Sequence, residues 1–149
     1  MIIVKNRSTA QHWQVYHTST GNTKSSQLSG GGAPDTAATY WNNTSPTSSV
    51  FSIGSGAPTN GDGNAIIAYC FAEKTGYSKF SSFVGNGNAN GTFVYTGFKP
   101  AFLLIKNTSQ ATDWIMYDNK RLGFEPQNKE FATNGGAVDS HQANWTSLG

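Results

Sequence analysis

Residues 2–17 read Ile2-Ile3-Val4-Lys5-Asn6-Arg7-Ser8-Thr9-Ala10-Gln11-His12-Trp13-Gln14-Val15-Tyr16-His17, and residues 103–118 read Leu103-Leu104-Ile105-Lys106-Asn107-Thr108-Ser109-Gln110-Ala111-Thr112-Asp113-Trp114-Ile115-Met116-Tyr117-Asp118. The two stretches align at an offset of 101 without a gap. Lys5, Asn6, Ser8, Ala10, Trp13 and Tyr16 recur as Lys106, Asn107, Ser109, Ala111, Trp114 and Tyr117, six identities in sixteen. Each stretch runs from an apolar triplet through Lys-Asn-x-Ser to Trp-x-x-Tyr, which predicts strand, loop and strand. A strand's period of two puts Trp13 and Val15 on one face, as it does Trp114 and Met116. Tyr16 and Tyr117 fall on the opposite face. Asn and Ser at the tip suit an Asx-type turn. Each copy therefore reads as a β-hairpin with an inward aromatic.

The similarity resumes further on. Gly31-Gly32-Ala33-Pro34-Asp35-Thr36 matches Gly135-Gly136-Ala137-Val138-Asp139-Ser140, and Trp41 matches Trp145. A period near one hundred residues is too long for a solenoid. The chain is read as a single β-sandwich unit over 1–149 with an internal duplication, in which 2–41 resembles 103–145. The second copy stops at Gly149, just past its second Trp, so it is expected to be incomplete.

Between the copies, Ser49–Ile53 predicts a short strand and Gly54–Asn64 a surface loop. Ala65–Ala72 is apolar on both faces, which predicts a strand at the centre of a sandwich. Phe80–Val84 and Thr92–Thr96 predict two further strands, separated by the Gly/Asn loop 85–91. Ala101–Lys106 predicts the next. Thr20–Ala38 holds little but Gly, Ser, Thr and Gln around Leu28, and predicts a long exposed loop or poorly ordered arm. No segment shows a 3.6-residue period. The fold class is all-β: an antiparallel β-sandwich or jelly roll with an internal repeat and long Gly/Asn/Ser-rich loops.

Composition excludes other classes. Only 12% of the 149 residues are charged, whereas 63 are Gly, Ser, Thr or Asn. Ala, Glu, Leu and Lys are too scarce for a coiled coil. No apolar run approaches the ~18 residues of a membrane span, so no membrane insertion is expected. Aromatic content of 13% is too high for a disordered chain. A net charge of +2 without a basic run gives no nucleic-acid footprint. Cys70, the sole cysteine, excludes an internal disulfide and reads as a small buried hydrophobe. Met1-Ile2-Ile3-Val4-Lys5 lacks the features of a signal peptide.

Candidate chemistry is thin. The three histidines, His12, His17 and His141, lack the partners of a zinc site, so no metal is expected. Asn60-Gly61-Asp62-Gly63-Asn64 lacks the spaced carboxylates of a calcium loop and reads as a turn. Gly85-Asn86-Gly87-Asn88 precedes no helix, so no dinucleotide or other cofactor is expected. Asp113 and Asp118 are replaced by His12 and His17 in the first copy, which argues against a catalytic acid. The residues suited to contact a glycan or a protein partner are Tyr40, Trp41, Asn42, Asn43, Tyr77 and Trp145, aromatics set among amide side chains. Trp13 and Trp114 are expected in the core.

Ile67-Ala68-Tyr69-Cys70-Phe71-Ala72-Glu73-Lys74-Thr75-Gly76-Tyr77-Ser78-Lys79-Phe80, Phe83-Val84-Gly85-Asn86-Gly87 and the run from Gly91 to Lys106 together form a distinctive pattern. So do Ser49-Val50-Phe51-Ser52-Ile53-Gly54 and Trp114 with Tyr117-Asp118-Asn119. The pattern resembles a domain of unknown function in bacteriophage proteins, especially of marine tailed phages, where it occurs in virion and tail-fibre-like proteins. The resemblance implies a lectin-like β-sandwich, a virion component made in the host cytoplasm, and no catalytic residues. On that reading the chain is not an enzyme. It is a phage virion structural protein: a tail-fibre, head-fibre or decoration module acting in assembly or in adhesion to host-surface glycan. Expected partners are other virion subunits, in a homo-oligomer such as a trimer or fibre. The alternatives are a phage-borne glycan-degrading enzyme domain, with Asp118 and Glu125 as candidate carboxylates, and a secreted lectin module.

Overall fold

The computed structural model describes residues 1–120, 129–133 and 140–141. Its strands form two antiparallel sheets, and helix among the described residues is confined to two single turns, α1 (Ala38–Trp41) and α2 (Ala57–Asn60). The expected all-β character is therefore present.

The first sheet has the order β4-β3-β2-β1-β5. Its strands are β1 (Ile2–Asn6), β2 (Gln14–Tyr16), β3 (Lys24–Gln27), β4 (Asp35–Thr36) and β5 (Ile66–Cys70). β1 pairs with β2 so that Ile2 faces Tyr16 and Ile3 faces Val15. This register aligns the apolar residues of both strands on each side of the sheet. The turn between them is held by Asn6, whose Oδ1 accepts the backbone N–H groups of Ser8 at 2.9 Å and Thr9 at 3.1 Å.

The two faces have different covers. Ile2, Val4 and Tyr16 pack against Trp41, with Tyr40, Phe51 and Ile66 around them. The Trp41 ring meets Tyr16 edge-on, with centroids 5.8 Å apart. The covering segment is stitched together by backbone bonds from Gly54 to Tyr40 at 2.9 Å and from Gly56 to Thr39 at 2.8 Å. A Cβ on Gly54 would collide with the Thr39 carbonyl. Pro58 lies in the first turn of α2, where a missing N–H costs no helical bond. Asn6 Nδ2 ties this segment to β1 by donating to the Ala57 carbonyl at 2.9 Å.

The opposite face, Ile3 and Val15, is covered by Trp114, with Met1, Trp13, Leu28 and Leu104 alongside. Trp114 and Leu104 come from the second sheet, whose order is β6-β7-β8-β9. Its strands are β6 (Phe102–Lys106), β7 (Trp114–Asp118), β8 (Lys129–Ala132) and β9 (Ser140–His141). Thr133 Oγ1 also bridges the sheets, donating to the Leu28 carbonyl at 2.7 Å.

Matching positions of the two hairpins make matching bonds. Lys5 Nζ donates to the Gln11 carbonyl, and Lys106 Nζ to the Thr112 carbonyl. Asn107 Oδ1 accepts from Ser109 N and Gln110 N as Asn6 does from Ser8 N and Thr9 N. Leu28 N donates to Trp13 O at 3.0 Å, and Thr133 N to Trp114 O at 3.1 Å. Trp114 is buried and Trp13 half-buried, and both belong to the same apolar cluster.

Several expectations are corrected. Residues 20–38 are not a loose arm: they carry β3 and β4, and Ser25 and Ser26 are buried there. The hydroxyl of Ser25 donates to the Oε1 of buried Gln14 at 2.8 Å. That internal bond lets a strand without apolar residues enter the sheet. Ala65–Ala72 does supply a strand, but β5 lies at the sheet edge and its side chains from Ile67 to Cys70 are exposed. Cys70 is thus not a buried hydrophobe. Ser49–Ile53 forms no strand; instead Phe51 alone reaches the core from a loop. Phe80–Val84 and Thr92–Thr96 form no strands either, because no neighbour among the described residues offers them a ladder.

Candidate interaction surface

Residues 71–101 connect β5 to β6; apart from the bonds of Phe71 with Met1 and of Ala101 O with Asn119 N at their two ends, and the Lys74–Ser78 bridge, they contain no ladder. This arm begins firmly. Phe71 N donates to Met1 O at 2.9 Å, and the Met1 ammonium donates to Phe71 O at 3.0 Å. Burial pulls that ammonium below its ordinary pKa. Phe80 folds back over the arm's root, with its ring 6.4 Å from that of Phe71 and 6.5 Å from His17. His17 is held below the usual imidazole range by burial first and by the nearby Met1 ammonium second. Its Nδ1 accepts from Ser19 N at 3.1 Å, a bond suited to the neutral ring.

The turn that follows is closed by Glu73. Its carboxylate accepts the Phe80 N–H at 2.9 Å and lies 3.3 Å from Lys79 Nζ. The Phe80 N–H is the main reason that the Glu73 carboxyl sits below its ordinary pKa. Gly76, with φ +73°, supplies the left-handed residue of the turn.

Beyond Lys79 the arm is a narrow, uncharged excursion, since residues 80–98 contain no Asp, Glu, Lys, Arg or His. Its tip is closed by amide side chains. Asn86 Nδ2 donates to Asn90 O at 2.9 Å, Asn86 Oδ1 accepts from Asn88 N, and Asn88 Oδ1 accepts from Asn90 N. Thr92 Oγ1 crosses to Val84 O at 2.7 Å. The arm's shape is thus set by its own polar groups, while its apolar groups lack cover. Val84, Phe93, Tyr95 and Tyr77 are 85%, 86%, 77% and 78% exposed. Phe71 and Phe83 add to the same exposed run. So many exposed large apolar side chains on one segment of a folded protein mark a candidate place of contact.

The residues expected from sequence to contact a partner fall in different places. Tyr40, Trp41, Asn42 and Asn43 lie on one turn that ends α1. Trp41 is 1% exposed, so its ring is a packing element and offers no face to a ligand. Its indole N–H has no partner among the described residues. Tyr40 is half-buried beside it. Asn42 and Asn43 are exposed and adopt consecutive left-handed conformations, φ 53° and 48°, which Asn tolerates better than other side chains. Asn22 Nδ2 steadies this turn by donating to Asn43 O at 2.9 Å. Tyr77 belongs to the arm, on the Lys74–Ser78 turn. Trp145 and Glu125 lie outside the described residues.

Sequence reasoning missed the arm as a surface. The signal in the sequence is the long uncharged run 80–98 with Asn and Gly at its middle, whose patterning predicts two strands and a loop. Among the described residues no three His, Cys, Asp or Glu side chains gather as a metal site. No described helix is long and apolar enough to cross a membrane.

No curated protein and no solved structure matches this chain. Residues 1–147 match one family along almost the entire sequence, and the chain belongs to that family, DUF7483, a domain of unknown function.

Proposed function

We propose that this protein is an assembly and adhesion module of a bacteriophage particle, a fibre or decoration component that acts by contact rather than by catalysis. The observation that carries the reading is the arm 71–101: Val84, Phe93 and Tyr95 are more than three-quarters exposed on the uncharged stretch 80–98, and Tyr77 is as exposed on the turn before it. Such a surface is costly in a lone molecule: each buried CH₂ contributes about 0.8 kcal/mol, so covering four such side chains favours association by several kcal/mol. The phage setting comes from the resemblance of residues 67–106 to virion proteins. The architecture is read as a two-sheet sandwich made by duplication. The paired bonds of Lys5 and Lys106, of Asn6 and Asn107, and of Leu28 and Thr133 support this, as does the packing of Trp114 on Ile3 and Val15.

The test is the mass of the full chain in solution at micromolar concentration, measured by sedimentation. Multimers are expected, and a Phe93→Ser, Tyr95→Ser double variant is expected to lose them. A wild-type chain that stays monomeric defeats the assembly reading. Release of sugar from host polysaccharide by the purified protein would instead support the glycan-degrading alternative. Binding on a glycan array without multimers would favour the lectin module.

A further inference from the structure

Among the described residues four strand edges bound the two sheets, and they differ sharply. β4 and β9 are two residues long, and β4 carries Asp35; short, charged edges resist pairing. β5 and β6 are five residues each, with the sequences Ile66-Ile67-Ala68-Tyr69-Cys70 and Phe102-Leu103-Leu104-Ile105-Lys106. β5 has no charge and no proline. In β6 the one charge, Lys106, sits at the end with its Nζ bonded to Thr112 O. Among the described residues β5 has β1 as its only neighbour and β6 has only β7.

The β6 edge has an internal counterpart that is filled. β6 stands to β7 as β1 stands to β2, with the same Lys and Asn bonds at its end. On its other side β1 carries β5 along five residues, from Ile2 opposite Cys70 to Asn6 opposite Ile66. The pairing runs on through Arg7 N to Ala65 O at 2.8 Å. A strand of the β6 type thus accepts an apolar neighbour on that edge.

We infer that the free edge of β5 in one copy pairs with the free edge of β6 in the next, joining a five-stranded and a four-stranded sheet into one of nine strands. The inference rests on the assembly reading and names its contact. The occupant is a second copy because each chain presents one such edge of each kind, equal in length, so one pairing rule satisfies both. The exposed arm runs from the end of β5 to the start of β6, so its apolar side chains extend the same contact at both ends. The contact joins different surfaces of the two copies, which generates a ring or a filament rather than a closed pair.

Cys70 lies on the β5 edge and is the only cysteine, so it reports directly. Phe102→Cys, Leu103→Cys and Leu104→Cys, introduced one at a time into the full chain, are tested for covalent multimers under mild oxidation. At least one is expected to link, and to lose the link when Cys70 is changed to Ser. Thr36→Cys on β4 is expected to give no ladder of linked copies. In parallel, Ala68→Lys places a charge at an exposed position of β5. Circular dichroism is expected to be unchanged while sedimentation shows loss of multimers. Multimers that persist in Ala68→Lys, with no link from Cys70 to any β6 position, overturn the inference and leave the assembly reading standing. A Cys70–Cys70 dimer as the main product in the wild-type chain also overturns it, since that joins two β5 edges. A wild-type chain that is monomeric defeats both.

Discussion

Replacing Trp114 by Ala tests whether the second sheet is docked on the first. The ring is 4% exposed and packs on Ile3 and Val15 across the interface between sheets. A buried Trp removes roughly 150–250 Å² from water, which at about 25 cal/mol per Å² corresponds to about 4–6 kcal/mol. Its indole N–H is buried with no partner among the described residues, and a buried unsatisfied donor costs about 1–3 kcal/mol. The difference leaves about 3 kcal/mol for Trp114→Ala, at the low end of measured Trp truncations of about 3–5 kcal/mol. Trp114→Phe keeps most of the apolar area and removes the orphan donor, so it is expected within about 1 kcal/mol of wild type. Urea unfolding followed by far-ultraviolet circular dichroism measures both, since loss of a Trp leaves that signal largely intact. In thermal unfolding the Ala variant is expected to melt roughly 6–12 °C lower, at about 2–4 °C per kcal/mol for a chain of this length. A Trp114→Ala cost below about 1 kcal/mol, the range of an exposed site, would refute the docked arrangement.

Three further outcomes are expected. Asn6→Asp keeps the acceptor for Ser8 N and Thr9 N but loses the donor to Ala57 O in a buried position. Its cost is at least about 1–3 kcal/mol, because a buried carboxylate oxygen then faces the Ala57 carbonyl, while Asn107→Asp, at the matching exposed position, is expected to be near neutral by the same urea titration. Gly54→Ala forces a Cβ onto the Thr39 carbonyl and should lower stability by about 1–3 kcal/mol through overpacking; a neutral result would place the 38–60 cover differently. The folded state holds His17 below its ordinary pKa, so the unfolded chain takes up the proton first as pH falls. Its contribution is present in full above the ordinary imidazole value and is lost as pH drops through and below it. The Met1 ammonium acts in the same sense from its own, higher ordinary value. Stability measured against pH is therefore expected to decline on the acid side of neutrality, with a smaller decline in His17→Gln.

The hairpins at residues 2–16 and 103–118 were legible because strand period, Asx turn and paired aromatics are local properties. The alternation places Trp13 and Val15 on one face and Tyr16 on the other. All-β character followed from the same patterning and from the lack of a helical period. β3 was not legible, because Ser25 enters the sheet through a bond to Gln14, eleven residues away. The covered face of Trp41 was hidden too, since a Trp beside two Asn residues looks the same in sequence whether its ring points in or out. Ile66–Cys70 is apolar at every position in either case, and only its place beyond β1 made it an edge. The same holds for 80–84 and 92–96: strand-like residues become strands only where a neighbour supplies hydrogen bonds. Sequence determined which segments could be strands and which faces were apolar; tertiary structure decided which of them found neighbours, because a ladder and a buried face each require a second surface that no local pattern encodes.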